Sequence, residues 1–482
     1  MADPLDPTAT TEQRVLRSTA ASWAIQLGRL GINVGARLIL AHLVLPAGHG
    51  VYDLALRIVT VASALRDLGL PYHLVRDPRR PYGTVLAFVT ASGTFLTLAL
   101  IAAAPLFAAL TPELPPDELP MVIRVFALWV LLDGLSVVPK AFFERELSVG
   151  ALLAPEIWRG VAVAAMSVAL AVAGWGYWSF VAGDLAGAAV MAAWCWTRAR
   201  RRMPLHVDLR LIPDLLRRSF LLFLIWLALL LVTNVDAFIV QAFGDVATVG
   251  MYSRCYWLVF LVATLVYPRA LFPSLVEYLP DRRRFVELYR LSTIQLVGCQ
   301  VLASYFFLFN AERVVGLLLG EEWLPAAPIL RALSFVPFFY QWSMLGGELL
   351  KAEHRDRSWL AIELLNLVSL VGFGIWLTSG WGAQGMAAAN YLLAGNLVML
   401  WEIRRVFGPR FGPLMGDLAL LHLLPLPFFA LAAWLAPAGS WARFGGSIAA
   451  AIVAAGLLAA RHWRDFRAFF AAPRMAALDG GP

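Results

Sequence analysis

The sequence predicts an all-α polytopic membrane protein with about 14 transmembrane helices. Two features of its composition and one of its charge pattern carry that prediction. Sixty per cent of the 482 residues are hydrophobic and only 15% are charged, well below the roughly 25% charged residues of soluble domains. Such a chain cannot cover itself with a polar surface and must use lipid as solvent. Its apolar runs repeatedly reach the length of about 20 residues that crosses a bilayer as helix. Its basic residues gather in every second connection between those runs.

Taken in order, residues 1–17 form a polar tail, too polar to be a cleavable signal, and the apolar run that follows is too long for one. Spans are expected at 18–45, 49–75, 83–110, 118–141, 149–173 and 175–198, an N-lobe covering 18–200. A basic linker, 201–214, leads to spans at 215–243, 248–277, 289–319, 325–350, 358–379 and 382–403, a C-lobe covering 215–410. Two further spans, 415–437 and 441–460, lie within 411–461, and a tail follows at 462–482. The connections are short and rich in turn residues, such as TPELPPDELP at 111–120 and GWG at 174–176 and 380–382. No connection is long enough for a soluble domain.

Of the 39 Lys and Arg residues, 28 fall on one side of these spans and two, Arg313 and Arg443, on the other; nine lie inside spans. The positive-inside rule then puts both termini and the linker in the cytosol. The net charge of +7 follows from these loops, so no nucleic-acid partner is expected. Cys195, Cys255 and Cys299 show no pairing or CxxC pattern. Neither a disulfide framework, a metal site nor a cofactor is expected.

The two lobes echo each other. Gly50-Val51-Tyr52 opens span 2 and Gly250-Met251-Tyr252 opens span 8. GWGYWSFVAGDLAG from Gly174 resembles GWGAQGMAAANYLLAG from Gly380, and LLAPE ending at Glu156 resembles WLAIE ending at Glu363. Six spans per unit make these parallel repeats, a common plan for secondary transporters.

Charges inside the bilayer cost about 2.5–3.5 kcal/mol each, so they must face protein or water. At about 100° per residue, Gln26, Arg29, Asn33 and Arg37 share one face of span 1, and Asp53, Arg57, Thr60 and Asp67 share one face of span 2. The two stripes are expected to line a wet cavity. Their positive balance suits an anionic, phosphate-bearing substrate, because guanidinium binds phosphate bidentately. The structural alternative, buried ion pairs such as Arg37 with Asp53 or Arg29 with Asp67, stays open. Arg66 lies off the stripe and is expected to snorkel to the interface. Glu156 and Arg159, three apart, can neutralise each other. Asp133, Asp184, Glu277 and Glu363 are candidates to carry a coupling proton, with nothing in the sequence selecting one. Arg37 and Asp53 in the first repeat, with Asp236 and Arg254 in the second, place opposite charges at matching positions and are expected to form an outer gate. Gly28, Gly31 and Gly35 on span 1 read equally as close-packing or hinge positions.

ARLILAHLVLPAGHGVYDLALRIV and DLGLPYHLVRD resemble the opening of polysaccharide-transport flippases of the multidrug/oligosaccharidyl-lipid/polysaccharide (MOP) superfamily. VPKAFFERELS, TNVDAFIVQAFGD, GMYSRCYWL and LLLGEEWLPAAPILRAL extend the resemblance over about residues 15 to 410. It is strongest to Wzx-type exporters. It implies a V-shaped pair of six-helix lobes working by alternating access. The implied activity is translocation of undecaprenyl-diphosphate-linked repeat units of O-antigen or exopolysaccharide. Arg29, Arg37, Arg57 and Arg254 match the diphosphate-contacting arginines of related lipid II flippases. The last two spans match helices that hold the lipid tail. Implied partners are that lipid-linked glycan, membrane lipid and the polysaccharide polymerase machinery. The coupling ion stays open between proton and sodium. A peptidoglycan lipid II flippase and a drug or cation antiporter of the same superfamily are the alternatives. An enzyme would be expected to show an outer loop with clustered acids or His, which the sequence lacks.

Overall fold

The computed structural model describes residue 28 and residues 30–74, 79–145, 149–266 and 271–471. Among these there are helices and no strands. In chain order the first helices are α1 (Leu30–Leu43), α2 (Pro46–Asp67), α3 (Leu70–Leu74), α4 (Tyr82–Ala103), α5 (Glu118–Phe126), α6 (Leu128–Arg145), α7 (Val149–Val172) and α8 (Trp178–Ala199). They are followed by α9 (Ile212–Val232), α10 (Val235–Phe243), α11 (Val246–Val266), α12 (Leu271–Tyr278), α13 (Arg282–Leu318), α14 (Ala327–Leu333) and α15 (Val336–Ala352). The chain closes with α16 (Asp356–Ala389), α17 (Gly395–Phe407), α18 (Phe411–Leu423), α19 (Leu426–Leu435) and α20 (Trp441–Ala471).

These helices fall on the expected spans, several spans being built from two helices separated by a short break. Among the described residues, nine helical stretches are long and apolar enough to cross a membrane, or ten if the bent pair Glu321–Leu333 and Val336–Ala352 is one span. One stretch, Asp356–Leu435, runs for 80 residues. At 1.5 Å per residue that is about four times the hydrocarbon thickness of ~30 Å, so it must turn back on itself. Gly382 makes one of the turns, with φ 58 and ψ −144 inside α16. A side chain is strongly disfavoured in that region. Gly176, with φ 52, does the same between α7 and α8. The repeated GWG is therefore a repeated backbone device, its third residue taking positive φ in both halves.

The chain divides into two compact units, one up to Phe223 and one from Leu224, with the division inside α9. In the first unit the start of α9 packs on the end of α2, where a Cβ on Gly69 would lie 3.2 Å from Phe223 Cβ. The basic linker lies across α4: a Cβ on Gly83 would come within 2.4 Å of the His206 carbonyl, and the Asp208 amide donates to Thr84 Oγ1 at 2.9 Å. Met203 in the linker and Leu215 just after it are buried with Leu70, Leu74, Tyr82, Phe142 and Phe143 in one apolar cluster. In the second unit, α13 packs against α18 and α20. Arg290 on α13 joins all three, through Asp417 at 2.6 Å and Asp465 at 3.2 Å. Arg313 and Arg443, the two basic residues on the less basic side, donate to the backbone carbonyls of Gly439 and of Ala433 and Ala436. They serve as clamps on one loop.

Arg66 does not snorkel. It is 1% exposed, bonded to Asp67 through Nε at 2.7 Å, to Asp133 through Nη2 at 3.1 Å, and to the Val130 carbonyl. Room for it comes from Gly93 and Gly134, where a Cβ would approach its side chain to 3.1 Å. The span 1 glycines show no close packing among the described residues: a Cβ on Gly28, Gly31 or Gly35 meets nothing within 4 Å. Replacing Arg66 by Met leaves two carboxylates without their cation, so Arg66→Met is expected to destabilise the first unit by about 3–5 kcal/mol. Adding Asp133→Asn should recover part of that loss. Chemical unfolding of the purified single and double variants measures both.

Candidate functional site

The span 1 and span 2 candidates meet different surroundings. Gln26 and Arg29 lie outside the described residues. Arg37, on α1, is exposed, and Asn33 is half-buried. On α2, Asp53 is buried, and Arg57, near the middle of the helix, is 9% exposed. Thr60 donates back to its own helix at the Leu56 carbonyl, 2.6 Å away. Asp67 belongs to the Arg66 cluster. In the second unit, Asp236 at the start of α10 is fully buried and accepts from the Ala237 amide at 2.8 Å. Arg254, on α11, is 5% exposed.

Arg37 and Asp53 share a polar centre with residues outside the two stripes. Tyr52 Oη donates to Asp184 Oδ2 at 2.6 Å, joining α2 to α8. Asp184 also lies in the field of Arg159, Arg37 and Asp53. The Tyr52 ring stacks on Phe180 at 4.8 Å and faces Phe126 at 5.9 Å, so packing fixes its hydroxyl toward the carboxylate. The centre thus holds two guanidinium groups, two carboxylates and a phenol, a setting that solvates charge with fixed groups instead of water.

The second unit repeats the contact with different chemistry. Asn390 Nδ2 donates to Tyr252 Oη at 3.3 Å and to the Met386 carbonyl at 2.9 Å. Counted from GWG, Asn390 stands where Asp184 does, and Tyr252 answers Tyr52. The glycine of the LAG that closes each of these stretches also repeats its neighbour. A Cβ on Gly187 would lie 3.3 Å from Arg159 Cγ, and one on Gly395 would lie 2.4 Å from Asn366 Oδ1. Arg159 and Asn366 each follow the matched glutamate by three residues. The duplication read from sequence is therefore a duplication of contacts. Sequence reasoning named Asp184 and Arg159 without joining them. The signal that joins them is the shared register of the three motifs.

The second unit also contains a cavity of about 610 Å³ between α13, α14, α15 and α18. Phe335, Phe338, Phe339, Tyr391 and His422 give it an aromatic wall, and Arg331 at its edge pairs with Glu312. Such a wall suits an apolar chain more than a sugar.

A charge-assisted bond is worth about 1.5–3 kcal/mol, against about 0.5–1.5 kcal/mol for a neutral one. A double-mutant cycle on Tyr52→Phe and Asp184→Asn is therefore expected to give a larger coupling energy than one on Tyr252→Phe and Asn390→Ala. Unfolding free energies of the seven proteins, the wild type being common to the two cycles, measure both.

A family model described as "Polysaccharide biosynthesis protein" matches residues 39–328. No curated protein matches the chain. Among solved structures, the chain is similar to one described as "Lipid II flippase MurJ, inward closed conformation". The TM-score is 0.75 at 14% identity, over 92% of this chain and 98% of that one. An inward-facing multidrug resistance MATE family transporter of the MOP superfamily aligns with a TM-score of 0.55 at 14% identity, over 82% and 95% of the two chains. An outward-facing one gives 0.51 at 14% identity, over 82% and 96%. The fold is thus that of the MOP superfamily, and the protein is a multi-pass membrane protein.

Proposed function

The chain belongs to the polysaccharide biosynthesis protein family, and from that premise we propose that it is a flippase for polyprenyl-diphosphate-linked oligosaccharides. Its substrate in this reading is an undecaprenyl-diphosphate-linked repeat unit of O-antigen or exopolysaccharide. The protein moves it from the cytosolic to the outer leaflet of the bacterial cytoplasmic membrane, with both termini cytosolic.

The observation that carries the reading is Arg57. A guanidinium more than nine-tenths buried near the middle of α2, the helix of the second expected span, is costly, and such residues within a membrane mark substrate or ion paths by default. A diphosphate cannot cross hydrocarbon alone, because its charge is too costly to desolvate. Arg29, Arg37, Arg57 and Arg254 replace its hydration with planar, bidentate donors. Gln26, Asn33 and Thr60 add neutral polar groups for water and sugar. Arg57 and Arg254 are covered in this structure, so alternating access must bare them in another state. Arg37, Asp53, Asp236 and Arg254 are the groups whose pairing would change between states. A lipid II flippase is the second reading, favoured by the TM-score of 0.75. It uses the same diphosphate chemistry and differs in the glycan.

Deletion of the protein is expected to accumulate lipid-linked oligosaccharide on the cytosolic leaflet and to remove surface polysaccharide. Unchanged pools in a strain without a redundant transporter overturn the reading, and accumulation of lipid II instead selects the second one. Arg57→Ala should slow translocation roughly tenfold or more, since a charge-assisted contact is worth about 1.5–3 kcal/mol. Arg57→Lys should restore little, because an ammonium lacks the planar fork.

A further inference from the structure

Glu363 is a buried carboxyl whose surroundings differ in kind from those of its counterpart in the first repeat. It lies on α16 seven residues after Asp356, about 10 Å along the helix, and is 1% exposed. Three neutral groups donate to it: Ser343 Oγ at 3.1 Å and Trp359 Nε1 at 3.2 Å to Oε1, and Asn366 Nδ2 at 3.4 Å to Oε2. Tyr340 on α15 is the titratable group beside it.

The cations of the surrounding helices are engaged elsewhere. Lys351 on α15 lies over the Trp359 ring at 5.5 Å and pairs with Glu348 at 3.0 Å. Arg355 donates to Glu402 of α17 at 2.7 Å. Among the described residues neither these nor Asp236 on α10, Arg254 on α11 or Arg331 on α14 acts on Glu363 electrostatically.

The repeat shows what has changed. LLAPE ends at Glu156 and WLAIE at Glu363; three residues on stand Arg159 and Asn366. Counted from GWG, Asp184 stands against Asn390. The first unit therefore keeps a basic and an acidic group where the second has two amides, and Glu363 remains without a guanidinium one turn away. An arginine only donates, so it favours a charged glutamate at all times. An asparagine donates through Nδ2 or accepts through Oδ1. Asn366 Oδ1 has no protein hydrogen-bond partner in this structure. Turning the amide over presents Oδ1 to Glu363 Oε2, where it accepts from a carboxylic O–H. Ser343 can reverse in the same way.

We propose that Glu363 is the proton-binding site that couples transport to the transmembrane proton gradient, with Asn366 as its reversible partner. The coupling role rests on the flippase reading above. The step is the addition of one proton to Oε2, which converts carboxylate to carboxylic acid as the Asn366 amide turns from donor to acceptor. The buried charge disappears, and with it the constraint that holds the three donors in place. A sodium ion is a poorer fit, because Oε1 already accepts from the Trp359 indole and the ion would need several further oxygen ligands.

The test uses the full chain in proteoliposomes. Infrared difference spectra between two pH values read the carbonyl stretch of a protonated carboxyl. The wild type is expected to show a band that Glu363→Gln removes, that Asn366→Arg also removes by holding the glutamate charged, and that Glu363→Asp keeps. A band unchanged in Glu363→Gln overturns the site. In the same vesicles, translocation of a fluorescent undecaprenyl-diphosphate disaccharide is followed under an imposed pH gradient and, separately, a sodium gradient. The pH gradient should accelerate the wild type, and Glu363→Gln should lose that acceleration. Acceleration by sodium alone, or a pH response intact in Glu363→Gln, overturns the coupling role. Wild-type vesicles that move no labelled lipid overturn the transport reading instead, while the infrared band still decides whether Glu363 binds a proton.

Discussion

In a helix bundle surrounded by hydrocarbon, an ionised side chain has no water to fall back on, and the polar architecture of both units follows from that single constraint. The protein meets it in several ways. Arg66 is enclosed with two carboxylates and a backbone carbonyl. Arg290 gathers acids from three helices. Arg313 and Arg443 use backbone carbonyls, and Arg313 also lies over the Trp441 ring at 4.5 Å. These arrangements hold structure together. Arg57 lies mid-helix on the same stripe as Asp53, the place that the proposed function gives to the diphosphate.

The duplication gives an internal control that single-copy folds lack. Tyr52 and Tyr252 reach the same position on the helix that follows GWG, yet one meets a carboxylate and the other an amide. Because both contacts form, the packing does not require the charge. What the charge supplies in the first unit is electrostatic, alongside Arg37 and Arg159. The second unit has the same backbone plan with a neutral version of that centre, and Glu363, buried on the repeated motif, is left to amide, hydroxyl and indole donors.

Much of the fold was legible because hydropathy and helix length are local properties. Spans such as 83–110 and 289–319 match helices at Tyr82–Leu110 and Arg282–Leu318 within a few residues at most ends. Helix α2 carries His49, Asp53, Arg57, Arg66 and Asp67 in 22 residues and is recognisable as a span only by its place in the repeat. What sequence could not supply was tertiary partnership. Arg66 reads as a snorkelling end residue until Asp133, on a different helix, is brought to 3.1 Å. The glycines that admit it, Gly93 and Gly134, look like any others in an apolar helix. The pairing of Tyr52 with Asp184 was implicit in the two ordered motifs, but order along a chain becomes contact only when the helices are packed. The span 1 glycines illustrate the converse, since their sequence left close packing and a hinge open, and among the described residues a Cβ on any of them meets nothing within 4 Å.

The Asp184 and Asn390 positions also constrain how the two halves diverged. If both descend from one ancestral segment, either a base and an acid became two amides or the reverse happened. In either direction a single replacement changes the charge of a buried polar centre by one unit, a change that costs several kcal/mol where nothing compensates it. Lineages holding only one of the two replacements would fold poorly, so the second should have followed quickly. Homologues that mix the two patterns within one half should therefore be rare, and ancestral reconstructions should place both replacements on the same branch.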